Sequence, residues 1–134
     1  MSNISYTYDD GGRNASGFGT KEVRDCTVRA VALTSGVDYK VAHQILAKRG
    51  KRKNRRGAYL SRYIKEIQKD LPVTYRLIKK SGSIRSLIKE YGDGNRILCC
   101  MRGHAFAILN GTVHDMMEIS GNCHVVNAWI VVPK

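Results

Sequence analysis

The hydrophobic periodicity of this 134-residue chain changes once, at Pro72. Before Pro72, apolar residues recur at the three- and four-residue spacing of helices, whereas after it short apolar runs alternate with turn residues, as in strands. Pro72 cannot continue a helix because it lacks a backbone N–H and its ring clashes with the preceding turn. The order of helices first and antiparallel sheet second predicts an α+β fold in which N-terminal helices pack on a C-terminal antiparallel sheet.

Capping residues and turn residues set the expected boundaries. Asp25 and Asp38 are placed as N-caps, with Asp25 turning its carboxylate toward the backbone N–H groups of the first turn, and Ser83 is placed as a third cap. Gly36 and Gly50 are placed just past helix ends. The expected helices cover residues 26–35, 38–49, about 58–70 and 83–91, and the expected strands cover 73–78, 96–101, 105–109, 112–116 and 125–132.

Asn110-Gly111 is the strongest turn signal in the chain, because both central residues of a type I′ hairpin turn need a positive φ. With these two as the loop, alternation of side chains places His104 on the same face of the hairpin as Asp115. The two residues are then diagonal neighbours, ~7–8 Å apart at the backbone, so an Asp could orient the imidazole. His114 falls on the opposite face.

Cys26 is the first residue of the first expected helix. Unpaired N–H groups and the helix dipole favour a thiolate there, but the dipole alone lowers a thiol pKa of ~8.5 only to ~7, so full activation needs a cationic partner. A small buried residue is the other interpretation of a lone Cys at a helix start. With His104 as base and Asp115 as orienter, the chain offers a nucleophile, a base and an acid in the order Cys, His, Asp.

Four short motifs resemble those of small, largely uncharacterised proteins of phages and mobile elements within the papain-like cysteine peptidase superfamily: Asp10-Gly11-Gly12-Arg13, Asp25-Cys26-Thr27-Val28-Arg29-Ala30, Gly103-His104-Ala105-Phe106-Ala107-Ile108 and Gly111-Thr112-Val113-His114-Asp115. The resemblance implies a single papain-like domain over residues 1–134, with Cys26 as nucleophile, His104 as general base and Asp115 as the third member of the triad. It implies a cysteine peptidase, or a related amide or isopeptide hydrolase, acting on a peptide or protein without a cofactor. Arg29 belongs to one of these motifs, with no role assigned to it.

The oxyanion donors are only half assigned. Papain-like peptidases usually carry a Gln about six residues before the Cys, and here that position is Thr20. The backbone N–H of Cys26 is expected to be one donor, because a helix N-terminus presents free N–H groups. The second donor is left open between Thr20, Asn14 and a backbone group.

Charge is concentrated in one stretch of this basic protein. The formal net charge is +12, and seven of the 23 basic residues lie between positions 48 and 56 with no acid among them. Lys48 and Arg49 suit a helix C-terminus, which leaves Lys51, Arg52, Lys53, Arg55 and Arg56. These five form either a solvated connector or a polyanion-binding loop. The second interpretation gives the alternative function: a non-catalytic phage-type interaction protein that binds nucleic acid or an acidic host protein through residues 48–56.

The remaining patterns favour a reducing cytoplasm, that of the host if the chain is phage-encoded. The longest apolar runs, 97–101 and 128–132, have five residues each, and no membrane helix is expected. The first ten residues lack the features of a secretory signal. The cysteines show no paired C-x-x-C spacing and are expected to be free, with adjacent Cys99 and Cys100 in the core. A zinc site is not expected, because neighbours on a strand point to opposite faces.

Overall fold

The computed structural model describes residues 4–19, 24–53, 60–79 and 82–134. Those ranges contain β1 (Ser5–Tyr8), α1 (Cys26–Ser35), α2 (Tyr39–Arg49), α3 (Leu60–Ile67) with a 3₁₀ turn (Gln68–Asp70), β2 (Val73–Lys79), α4 (Ile84–Tyr91), β3 (Arg96–Met101), β4 (His104–Leu109), β5 (Thr112–Asp115) and β6 (Asn127–Pro133). The predicted α+β class is confirmed. No helix in the described part of the chain is long and apolar enough to cross a membrane.

The six strands form one sheet in the order β1-β5-β4-β3-β6-β2. All neighbours are antiparallel except β1 and β5, which pair in parallel with Tyr8 opposite Asp115. The sheet is therefore mixed, and the prediction of a purely antiparallel sheet was wrong. The physical reason is that β1 has only four residues, whose side chains are mostly exposed, so its sequence carries little strand signal before it pairs with β5.

Both faces of the sheet are covered. Leu98 and Trp129 point into an apolar cluster with α1, α2 and α3, while their neighbours Cys99 and Ala128 point into a second cluster with α4. This alternation follows from the two-residue period of a strand. The helices before Pro72 thus cover one face, and α4 covers the other.

The expected helix ends are confirmed where glycine and serine set them. Gly36 has a φ of 81° and donates its N–H to Ala32 O, and Ser83 Oγ accepts from Ser86 N–H. The two aspartates behave differently. Neither Asp25 nor Asp38 makes a side-chain capping bond, so the predicted caps were wrong in that respect. The carboxylate of Asp25 is used instead in the site described below.

Two tight hairpins place the residues that meet at the site. Asn110 and Gly111 both have positive φ, 50° and 82°, and Leu109 pairs with Thr112, which confirms the predicted turn and register. The preceding hairpin joins β3 to β4 through a two-residue loop, in which Gly103 has a φ of 75°.

Candidate active site

The first residue of α1 and the first residue of β4 meet at one end of the sheet. The side chains of Cys26 and His104 share a hydrogen bond, and the Cys26 sulfur also accepts the backbone N–H of Ala105. The contact follows from the packing of α1 on β4, with Val28 and Val31 in the same apolar cluster as Ala105. Sulfur, imidazole and a backbone donor are thereby held together.

Asp115 holds the other side of the imidazole. Its Oδ2 lies 2.6 Å from His104 Nε2, which leaves Nδ1 as the ring nitrogen for Cys26. The diagonal neighbourhood predicted from the hairpin register is therefore observed. His114 does not join this group: its Nδ1 lies 3.0 Å from Oδ2 of Asp9, in a second, separate histidine–carboxylate pair.

The three groups shift one another's protonation. Burial disfavours the imidazolium, but hydrogen bonds with Asp115 and Cys26 outweigh it and raise the pKa of His104 to about 9. Burial also opposes the thiolate, yet the His104 hydrogen bond, the Ala105 N–H and the charge of Arg29 hold the pKa of Cys26 below its ordinary value. Despite its burial, the Asp115 carboxyl also has a lowered pKa, chiefly because of His104. Near neutral pH His104 is therefore held as an imidazolium between the Asp115 carboxylate and Cys26, where its charge favours the thiolate.

A second buried carboxylate lies behind the first helical turn. Asp25 is 1% exposed and accepts from Arg13 Nη1 at 3.1 Å, Arg29 Nε at 3.1 Å and the Tyr39 hydroxyl at 2.8 Å. Arg29 also donates Nη1 to Oδ1 of Asp115 at 2.8 Å. One guanidinium thus bridges Asp115, the partner of His104, and Asp25, the neighbour of Cys26. Its spacing from Cys26 did not reveal this place for Arg29.

The charges of this group balance. When Cys26 is ionised, three anions face three cations: Asp25, Asp115 and the Cys26 thiolate against Arg13, Arg29 and the His104 imidazolium. Moving the proton from sulfur to imidazole creates one charge of each sign and leaves the sum at zero. A buried charge needs such a partner, because an unpaired one loses its hydration without compensation.

The amino-terminal segment fixes the backbone of the acid. The carbonyl oxygen of Asp115 accepts the N–H of Asp9 at 2.9 Å and the Tyr6 hydroxyl at 3.1 Å. The following turn packs on α1, where a Cβ added to Gly11 would lie 2.9 Å from the Cα of Arg29. The Asp-Asp-Gly-Gly sequence was the signal for this turn, but its contact with the site could not be deduced from the sequence.

An open cleft of about 480 Å³ gives access to Cys26 and His104. The remaining lining residues are Thr27, Leu60, Ser61, Cys100, Met101, Arg102, Gly103, Ala105, Val126 and Asn127. Cys100 thus borders the cleft rather than lying wholly in the core, whereas Cys99 is buried as predicted. Burial raises the pKa of both thiols, that of Cys100 to about 12, so neither competes with Cys26 as a thiolate.

Of the candidate oxyanion donors, the structure describes the Cys26 backbone N–H and Asn14. Because α1 begins at Cys26, the backbone N–H of this residue has no acceptor within the helix. Thr20 lies outside the described residues. Asn14 donates its backbone N–H to Asp10, and nothing assigns its side chain to the cleft. Asn127 of β6, which sequence reasoning missed, also lines the cleft.

The basic segment is only partly described. Lys51 and Lys53 are exposed, as a polyanion-binding loop requires, but Arg52 is only 4% exposed. Arg52 is therefore corrected from a surface contact to a buried side chain, held next to α2 by its N–H bond to Leu46 O. Arg55 and Arg56 lie outside the described residues. Binding of nucleic acid or an acidic protein stays a prediction.

Comparisons of the chain with protein-family models, with curated proteins and with solved structures found no match. Within the described ranges, no group of three or more His, Cys, Asp or Glu side chains is arranged to hold a metal ion. The chemistry of the site is therefore argued from its own contacts, burial and charges.

Proposed function

We propose that this protein is a papain-like thiol hydrolase, a cysteine peptidase or a related amide or isopeptide hydrolase, with Cys26 as nucleophile, His104 as base and Asp115 as orienter. One observation carries the proposal: the His104 ring shares a hydrogen bond with the Cys26 thiol while its Nε2 lies 2.6 Å from Asp115. A nucleophile, a base and a group that orients the base are the minimal parts of nucleophilic acyl transfer.

The placement of these residues on the fold also supports the papain-like part of the proposal. The thiol stands at the first residue of a helix, the imidazole at the first residue of the strand packed against it, and the acid on the adjacent strand. The same order, a helix that carries the Cys followed by strands that carry the His and the acid, is the one implied by the resemblance of the sequence motifs.

The proposed reaction begins with the thiolate. The Cys26 sulfur attacks the carbonyl carbon of the substrate amide, a C–S bond forms, and the carbonyl electron pair moves onto oxygen. The Cys26 backbone N–H is the first donor to that oxyanion. The His104 imidazolium gives its proton to the leaving nitrogen as the C–N bond breaks, which leaves a thioester. His104 then takes a proton from water as the water oxygen attacks the thioester carbonyl carbon. The C–S bond breaks, the carboxylic acid leaves, and the thiolate beside the His104 imidazolium is restored.

Selective alkylation tests the nucleophile. At pH 6 we expect iodoacetamide to modify Cys26 ~10–100-fold faster than Cys123, because the thiolate is the reactive form and His104 favours it at Cys26. Site-resolved mass spectrometry of the time course measures both rates. His104→Ala should remove the advantage, and His114→Ala, which breaks the second histidine–carboxylate pair, should not. Equal rates at Cys26 and Cys123 would refute the proposal.

Turnover is the second measurement. Internally quenched peptide mixtures should be cleaved by the native protein and not by Cys26→Ser, whose hydroxyl stays protonated in the same position. Cleavage that persists in Cys26→Ser would assign the activity to another group or to a contaminant.

A further inference from the structure

The β3–β4 turn carries an arginine at the rim of the catalytic cleft. Arg102 and Gly103 are the two loop residues between the paired residues Met101 and His104. A two-residue loop leaves little freedom, and Gly103 supplies the positive φ that closes it. Arg102 is therefore held two positions before the imidazole, and it lines the same cleft as Cys26.

Arg102 differs from the arginines behind the site. Arg13 and Arg29 are engaged by buried carboxylates, whereas Arg102 is exposed and has no hydrogen-bonding or ion-pair partner among the described residues. An exposed guanidinium with its donors unused can bind a carboxylate through two parallel hydrogen bonds.

Among the described residues that line the cleft, none is Asp or Glu, so none supplies a carboxylate that would neutralise this cation. The nearby acids Asp25 and Asp115 are 1% and 2% exposed and are already paired with arginine or histidine. A substrate that enters the cleft is therefore exposed to the positive charges of Arg102 and of the His104 imidazolium.

Another part of the lining is apolar. Val126 is 42% exposed in the cleft lining, and the half-buried Met101 extends the apolar surface. An exposed apolar side chain beside an unpaired guanidinium is complementary to a segment that carries an apolar residue and a carboxylate.

We infer that the cleft selects substrates with a carboxylate next to an apolar side chain at the scissile bond, and that Arg102 binds this carboxylate. The inference rests on the proposed thiol hydrolase function and names its substrate class. The carboxylate belongs either to an Asp or Glu side chain or to the carboxyl terminus of a peptide.

Charged and neutral alkylating agents test Arg102 without needing a substrate. Iodoacetate and iodoacetamide react alike, with a C–S bond formed and iodide released, but only iodoacetate carries a carboxylate. The measured quantity is the iodoacetate rate at Cys26 divided by the iodoacetamide rate, and this ratio is normalised to the same ratio for free cysteine. At low salt we expect the normalised ratio to fall ~3–10-fold from the native protein to Arg102→Gln. Arg102→Lys should retain most of the ratio, and added salt should reduce it in the native protein.

Arg76→Gln is the matched control, because Arg76 is an exposed arginine of β2 that does not line the cleft. It removes the same formal charge and should leave the ratio unchanged. An Arg102→Gln ratio within twofold of the native value, or a matching loss in Arg76→Gln, would overturn the assignment. The ratios are measured at both pH 6 and pH 9. If Cys26 is alkylated no faster than an ordinary thiol at pH 6, the hydrolase proposal is refuted. The iodoacetate-to-iodoacetamide ratio can still be measured at pH 9 and tests Arg102 independently.

Quenched peptides identify the source of the carboxylate. Peptides with Glu, Gln or Lys beside Leu are compared with the carboxyl terminus either free or amidated. A Glu preference in both forms assigns the side chain, a requirement for the free terminus assigns the terminus, and either preference should weaken in Arg102→Gln. Cleavage that is indifferent to all of these charges would overturn the inference and leave the hydrolase proposal intact.

Discussion

Replacing Asp115 with Asn should change the pH at which Cys26 becomes reactive. The substitution keeps the size of the side chain and a carbonyl that can still accept from His104, but it removes the charge that now lies 2.6 Å from Nε2. His104 therefore loses the coulombic attraction of Asp115, and its hydrogen bond at this position is made to a neutral acceptor instead of a charged one. The imidazolium becomes less stable, and so does the thiolate paired with it.

The magnitude follows from the pKa of His104. Its rise from the ordinary 6.5 to about 9 corresponds to ~3 kcal/mol in favour of the imidazolium, shared between Asp115 and Cys26. If Asp115 supplies half of this or more, Asp115→Asn weakens protonation of His104 by ~10–100-fold. The rate of Cys26 alkylation at pH 6 should fall by a similar factor.

The assay is the pH profile of iodoacetamide alkylation at Cys26 between pH 5 and 10. The native profile should extend well below the pH range of an ordinary thiol. That of Asp115→Asn should rise only near pH 8 to 9 and approach the native rate at the alkaline end, where the thiol ionises unaided. Asp9→Asn is the control, because it removes the carboxylate from the other histidine pair. A native profile in Asp115→Asn would refute the electrostatic role of Asp115.

Three further outcomes are expected. Tyr39→Phe removes one of the donors to the buried Asp25 carboxylate and should lower the free energy of unfolding by ~1.5–3 kcal/mol in urea denaturation. Gly11→Ala should cost at least ~1–2 kcal/mol in the same assay, because the φ is +67° and the new Cβ would press on the α1 backbone. Cys26→Ala removes one of the two partners that raise the pKa of His104, but Asp115 should still hold this pKa above its ordinary value, and no lowered thiol pKa then offsets it. The stabilisation by protonated His104 is complete below pH ~6.5 and is lost as the pH rises through the folded pKa of His104, with a slope of up to ~1.4 kcal/mol per pH unit. The native protein should lose less stability over this range, because its thiol gives up a proton where the imidazole gains one.

Local rules predicted the contact between His104 and Asp115 because its geometry is largely local. Asn110-Gly111 fixes the register of one hairpin, and that register brings Asp115 to His104 without any long-range contact. The placement of Cys26 required one further step, the packing of α1 on β4, which the apolar face of the helix favours without specifying. Hydrophobic periodicity and the positions of glycines predicted the helix boundaries equally well.

The sequence could not predict what depends on tertiary pairing. Residues 5–8 are too few and too polar to be identified as a strand, yet as β1 they lie beside β5, and the Tyr6 hydroxyl binds the backbone of Asp115. The exposure of Lys51 and the burial of neighbouring Arg52 differ although both belong to one basic run. Charge counting treats such neighbours as equivalent, and only packing separates them.

Asp25 shows why the local rule failed at the residue next to the nucleophile. In the predicted capping role, its carboxylate would accept from the backbone N–H groups of the first turn of α1. In the structure, Arg13 and Arg29 draw the carboxylate away from the capping position and neutralise it. A single N-cap bond contributes ~1 kcal/mol, less than two charge-assisted bonds to buried guanidinium groups, so the tertiary contacts prevail. The positive end of α1 is thereby left to the Cys26 thiolate, and Arg29 extends the same neutralisation to the acid that orients His104.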